Sequence, residues 1–215
     1  MTYNILESGS RGNATIIEDT ILIDCGVSFK KLQPFYRDLK LVLLTHIHSD
    51  HFNKKTIQRL AKERPTLRFG CGFWLVSELV ECGISIKNID VYERFAEYDY
   101  EICNIGIFEL FHDVPNCGYK ISINNQKVFY ATDTSKIDHA EAPNFDLYLI
   151  EGNYEDEVEL ELRKAKNIEN GRFSYEDRVK ETHLSREKAT EWLLKNMGDN
   201  SQYIFMHQHI EKINL

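Results

Sequence analysis

Apolar positions come in short runs divided by polar turns, and their spacing switches between a period of two and one of three to four. Residues 3–6, 14–17 and 21–24 are alternating or apolar and predict the strands of an antiparallel meander. Leu41-Val42-Leu43-Leu44 is an unbroken apolar run, the pattern of a buried strand, and polarity returns abruptly at Thr45. From 54 to 64 the apolar positions Ile57, Leu60 and Ala61 share a helical face, and Pro65 closes the element. Residues 73–82 predict a second helix, stopped by Gly83.

The second half repeats the style. Residues 101–111 and 119–123 predict strands, and Asn124-Asn125-Gln126 predicts a tight turn into a strand over 127–131. A buried strand is expected at 147–150, helices at 155–166 and 186–196, and a last strand at 203–206. Strands, then helices, then the same again predict an α+β fold, an αββα sandwich of two mixed sheets flanked by helices. No repeat, low-complexity tract or Pro/Gly/Ser linker divides the sequence, so residues 1–215 are expected to be a single domain.

Composition narrows the function classes. The net charge of -8 argues against tight wrapping of a long duplex, which asks for a basic face. Much of the acidity lies at 151–161, which reads as a solvated helix remote from any site. Cys25, Cys71, Cys82, Cys103 and Cys117 are scattered and form no C-x-x-C pair, which points to a reducing compartment rather than a disulfide framework or a cysteine zinc site. No apolar run approaches the roughly 20 residues that span a bilayer, and the N-terminus lacks a signal-peptide pattern. A cytoplasmic protein without a membrane partner is expected.

The candidate chemistry begins where the apolar run at 41–44 ends. His46, His48, Asp50 and His51 follow one another in Thr45-His46-Ile47-His48-Ser49-Asp50-His51. Neutral imidazole is the commonest metal ligand. Alternation puts His46 and His48 on one side of an extended segment, and a turn then brings Asp50 and His51 toward the same space. One ion can take the first pair and another the second. Asp133, just after a strand, can bridge two ions. His112 and His207 also follow predicted strands, and His209 is an alternative to His207.

These motifs resemble the metallo-β-lactamase superfamily, and within it the YycJ-like and tRNase Z-like branches. Ser8-Gly9-Ser10-Arg11-Gly12-Asn13 resembles the branch's N-terminal loop, and Ile23-Asp24-Cys25-Gly26 the superfamily's strand-end aspartate. Thr45–His51 resembles the metal signature, and His112-Asp113 with Pro115 and Gly118-Tyr119 the following histidine region. Ala131-Thr132-Asp133-Thr134, His183-Leu184-Ser185 and His207 complete the likeness over nearly the whole chain. Where the YycJ-like branch carries a histidine near 151–154, this chain has Tyr154.

The resemblance implies two divalent ions, zinc or manganese. His46, His48 and His112 would hold the first, Asp50, His51 and His207 the second, with Asp133 between them. It implies that Asp24 orients a ligand histidine, that the Ser8–Asn13 loop offers backbone N–H groups to a phosphate oxygen, and that Asp50 and His183 take part in catalysis. Ser185 is the expected N-cap of the helix that follows. Two ions activate a water for phosphodiester, lactone or thioester hydrolysis alike. The reading preferred is a phosphodiesterase or nuclease cleaving a nucleic-acid end or a small phosphodiester such as a cyclic nucleotide. Its partner is that substrate, and a homodimer is allowed for. A lactonase or thioesterase, or a metal-stabilised binding module without turnover, are the alternatives.

Overall fold

The N-terminal runs pair as the meander their alternation predicts. In the computed structural model, which describes residues 1–94 and 96–208, β1 (Tyr3–Glu7), β2 (Ala14–Ile17) and β3 (Ile21–Ile23) are antiparallel neighbours. The chain then changes habit. β4 (Leu41–Leu44), β5 (Arg68–Gly72) and β6 (Ile89–Tyr92) add in parallel, giving a sheet of order β1-β2-β3-β4-β5-β6. Helices α1 (Phe29–Leu32), α2 (Lys54–Glu63) and α3 (Val76–Glu81) make the crossovers that parallel pairing requires. All of this belongs to one compact unit, Met1–Tyr98.

A second unit, Asp99–Leu215, builds its sheet from the other end. β8 (Asn104–Leu110), β9 (Asn116–Ile123) and β10 (Gln126–Ala131) are antiparallel, and β11 (Leu147–Glu151) and β12 (Gln202–Met206) add in parallel to β10. The order of this sheet is β12-β11-β10-β9-β8-β7, its last strand the short β7 (Glu97–Asp99), which straddles the boundary between the units in sequence. Helices α4 (Glu157–Glu169), α5 (Glu176–Thr182) and α6 (Arg186–Asn196) lie between β11 and β12.

The inner strands are buried on both faces. Ile16, Leu22, Val42, Leu44 and Phe69 pack against α2 through Ile57 and Leu60, while Ile17, Ile21, Ile23, Leu41 and Leu43 on the opposite face are equally inaccessible. This two-sided burial explains why 41–44 is a continuous apolar run rather than an alternating one. Asn53 caps α2 by accepting the Thr56 N–H at 3.1 Å. At its other end Arg64 donates to the carbonyls of Tyr36, Arg37 and Leu39, fixing the approach to β4. In the second unit Phe129 stacks on Trp192 of α6 at 4.7 Å, and Trp192 Nε1 donates to the Ala140 carbonyl at 2.9 Å.

Several boundaries depart from expectation. The helix foreseen at 73–82 opens as a single 3-10 turn over Phe73–Leu75, because Trp74 folds back over the end of β5. β9 starts at Asn116 rather than 119, and the helix foreseen at 155–166 is α4, shifted toward its C-terminus by the Asp156 cap, which accepts the Glu159 N–H at 2.7 Å. Among the described residues no helix is long and apolar enough to cross a membrane. All five cysteines are free and buried.

Candidate metal centre

In the first unit the histidine motif is held by one carboxylate from another strand end. Asp24 follows β3, adopts a left-handed backbone (φ 58°) and is fully buried. Its Oδ1 accepts from Thr45 N at 3.0 Å and from Thr45 Oγ1 at 2.9 Å, while Oδ2 lies 2.7 Å from His51 Nδ1. A carboxylate only accepts, so His51 carries its proton on Nδ1 and a lone pair on Nε2. Thr45 Oγ1 has spent its proton on Asp24, so its 3.0 Å contact with His46 Nδ1 needs the histidine proton there, and Nε2 again carries the lone pair. One buried aspartate thus sets two tautomers, the orienting role expected of it.

The turn bringing Asp50 and His51 back is closed by the His48 carbonyl, which accepts from His51 N at 2.9 Å and Phe52 N at 2.7 Å. His46 lies 4.9 Å from His48 and 4.1 Å from His51, ring centre to ring centre, and Asp50 Oδ2 is 3.7 Å from His51 Nε2. Gly26 passes so close beneath this turn that a Cβ would stand 1.6 Å from the Asp50 carbonyl oxygen. The Ser8–Asn13 loop is part of the same scaffold. Gly9 N donates to Asn13 Oδ1, Gly12 N to the Gly9 carbonyl and Asn13 N to the Asp50 carbonyl, so these N–H groups are committed inside the protein rather than presented to a phosphate. Asn13 Nδ2 donates to His51 Nε2 at 2.7 Å.

The second unit gathers its cluster from separate strand ends. Asp133 follows β10 and His207 follows β12, both left-handed (φ 57° and 50°), and Glu151 ends β11 between them. Asp133, Glu151, His183 and His207 each offer a ligand atom within 4.8 Å of the others. His183 Nδ1 is 2.7 Å from Glu151 Oε1 and 3.3 Å from Asp133 Oδ1. His207 Nδ1 is 3.4 Å from each of the same two carboxylates. Glu151 Oε2 also accepts from Thr134 N at 2.8 Å, and Asn116 Nδ2 donates to the Asp133 carbonyl at 2.7 Å. Asn153 Nδ2 donates to the His207 carbonyl at 3.0 Å. His112, after β8, donates from Nδ1 to the Thr182 carbonyl at 3.0 Å, and its ring centre is 5.3 Å from that of His183.

Electrostatics follow from this burial. Desolvation lowers the His112 pKa and keeps the ring neutral, as a ligand must be. Burial alone would lower His183, but Glu151 against its Nδ1 more than offsets this and raises it. Burial alone would raise Glu151, and the His183 imidazole instead holds it below the usual carboxylate range.

Glu151 is the residue that sequence reasoning missed. It stands first in the acidic stretch read as a solvated helix, yet it is the last residue of a buried strand and fully inaccessible. Its neighbours β10 and β12 both end in candidate ligands, and that shared register was the signal available. Asn116 and Asn153 were missed as well. His209 lies outside the described residues.

Imidazole nitrogens and carboxylate oxygens, with no thiol among them, fit a divalent ion such as zinc or manganese. A family model described as "Beta-lactamase superfamily domain" matches residues 19–208. The exodeoxyribonuclease WalJ of Streptococcus pneumoniae is 26% identical over 240 residues, covering 99% of this chain and 82% of the relative. The metallo-β-lactamase-fold protein YhfI of Bacillus subtilis superposes with a TM-score of 0.73 at 15% identity, covering 96% of this chain and 85% of that one. Human tRNase Z, short form, gives 0.69 at 14%, covering 97% and 93%. The fold is therefore the expected αββα sandwich: two mixed six-stranded sheets flanked by helices.

Proposed function

Because the chain belongs to the beta-lactamase superfamily, we propose that it is a metal-dependent hydrolase, a phosphodiesterase acting on a nucleic-acid end or on a small phosphodiester such as a cyclic nucleotide. The proposal includes that the two units work as one domain and that their clusters form one dinuclear centre. His46, His48 and His112 would hold one ion and Asp50, His51 and His207 the other, with Asp133 contributing its carboxylate to the centre. The bound ions supply Lewis acidity and a water acidic enough to attack near neutral pH. The protein's own groups do the rest. Asp50, turned toward His51, takes the proton of the attacking water. His183 protonates the oxygen of the leaving alcohol as its bond to phosphorus breaks.

The observation that carries this reading is the Glu151–His183 pair. A carboxylate at 2.7 Å accepts the Nδ1 proton and raises the His183 pKa, favouring a ring that carries a second proton, on Nε2, for the leaving group. Relatives named as an exodeoxyribonuclease and a tRNase Z support phosphodiesters over lactones or thioesters. The free, buried cysteines support the cytoplasm as its compartment.

Leaving-group dependence tests the reading. His183→Ala, reconstituted with Zn²⁺ or Mn²⁺, should keep most activity on bis-p-nitrophenyl phosphate, whose phenolate departs without a proton. It should lose roughly 10²–10⁴-fold on a nucleoside diester with an alkoxide leaving group. Equal losses on both, with two ions still bound per chain, would remove the general-acid role. A wild-type protein that binds two ions and hydrolyses no phosphodiester would sink the function itself.

A further inference from the structure

The parallel strands of the first sheet release their C-terminal residues along one edge: Asp24 after β3, Thr45 and His46 after β4, Phe73 and Trp74 after β5. Leu44 pairs with Cys71, so the register continued past the strand ends sets Thr45 beside Gly72 and His46 beside Phe73. The two segments do stay together there, because Trp74 Nε1 donates to the Thr45 carbonyl at 3.2 Å. A Cβ on Gly72 would stand 2.2 Å from the indole, so glycine is what lets Trp74 fold back. With Trp74 turned inward, its neighbour is turned out. Phe73 is 74% exposed, its ring edge-on to Trp74 at 5.5 Å.

A phenyl ring held in water forgoes the hydrophobic gain that burial would give it. Here the exposed ring is braced by a second aromatic that is itself hydrogen-bonded to the metal-binding motif. A rigid aromatic face beside a phosphodiester site suits a flat, π-faced substituent of the substrate. Every nucleobase has such a face, and stacking on it is tolerant of sequence.

We infer that Phe73, steadied by Trp74, is a stacking platform for the nucleobase next to the scissile phosphate. The inference rests on the phosphodiesterase reading and narrows it to base-bearing diesters, in single-stranded or mononucleotide form because a paired base hides its faces in the duplex stack.

Two esters with one leaving group test it: thymidine 5′-(p-nitrophenyl phosphate) and methyl p-nitrophenyl phosphate. Their chemistry at phosphorus is alike and only the first carries a base. Phe73→Ala should lower the thymidine-to-methyl ratio of kcat/KM about tenfold, mostly through KM, with Phe73→Trp restoring it. Thymidine 5′-monophosphate, measured by calorimetry, should bind Phe73→Ala about tenfold more weakly than wild type. A ratio unchanged by Phe73→Ala, or one that Phe73→Trp fails to restore, overturns the platform. If the metal-loaded wild type hydrolyses neither ester, the phosphodiesterase reading falls. The monophosphate binding still decides the platform: equal affinity in wild type and Phe73→Ala overturns it.

Discussion

The two units reach similar clusters by opposite routes. In the first, four ligand-type residues lie within six positions of sequence, His46 to His51, and a turn closed by the His48 carbonyl folds them together. One remote carboxylate, Asp24, then fixes the ring tautomers. In the second, His112, Asp133, Glu151, His183 and His207 come from separate places, from just after β8 to just after β12. Pairing of β10, β11 and β12 brings Asp133, Glu151 and His207 together, and His183 joins them through Glu151. A local cluster needs one external brace, whereas a dispersed one needs the sheet itself in register. The contrast also divides labour. Asp24 touches groups that present lone pairs, while the nearest contact of Glu151, at 2.7 Å, is the ring proposed to deliver a proton, with His207 farther off at 3.4 Å.

The largest effect should come from the residue proposed to join the two clusters. Asp133→Asn keeps the shape and tolerates the left-handed backbone but removes the charge. Outer-shell substitutions at metal sites cost about 10–100-fold, so turnover here should fall by more than about 10²-fold, with the thermal transition preserved. Activity within a few-fold of wild type would leave the second cluster without its bridge. Next come the two anchors. Asp24→Asn should weaken metal binding by about 10–100-fold in a chelator competition. Glu151→Gln should retain metal and lose turnover on alkoxide-leaving diesters by a similar factor. Should Glu151→Gln shed metal as readily as Asp24→Asn, the division of labour disappears.

The smallest effect lies away from both clusters, at Glu176 of α5. Burial alone would raise its pKa, but donors from Ser174 and Asn167, with Arg163 alongside, lower it below its ordinary 4.5. A carboxyl that holds its proton less tightly when folded stabilises the protein above pH 4.5, and that share is lost as pH falls through the folded value. Glu176→Gln should cost about 2 kcal/mol at neutral pH. It should also flatten the decline of Tm on acidification, and an unchanged slope would assign acid sensitivity elsewhere.

What could be read from the sequence divides along the same line. The contiguous motif at 45–51 and the buried run before it are visible because candidate ligands and strand are adjacent. Strand-end positions also exposed Asp133, His112 and His207. β5, Arg68-Phe69-Gly70-Cys71-Gly72, was not foreseen: two glycines and no alternation hide a strand whose pairing comes from its neighbours. α5 is too short for its period to register. Glu151 was obscured because charge suggests solvent, and only the register of three parallel strands shows otherwise. Asn116 and Asn153 carry no charge, so nothing marked them before their hydrogen bonds were seen.

The buried cysteines have a practical consequence. Cys25, Cys71 and Cys82 lie in the first unit, Cys103 and Cys117 in the second, and burial pushes the Cys71 thiol up to about 12 and Cys103 to about 11. With neither access nor thiolate, these sulfurs are dark to a maleimide dye while the chain is folded. Each lights up only when the segment around it opens. Labelling read peptide by peptide thus becomes a built-in clock, and the order of the five signals tells which unit loosens first.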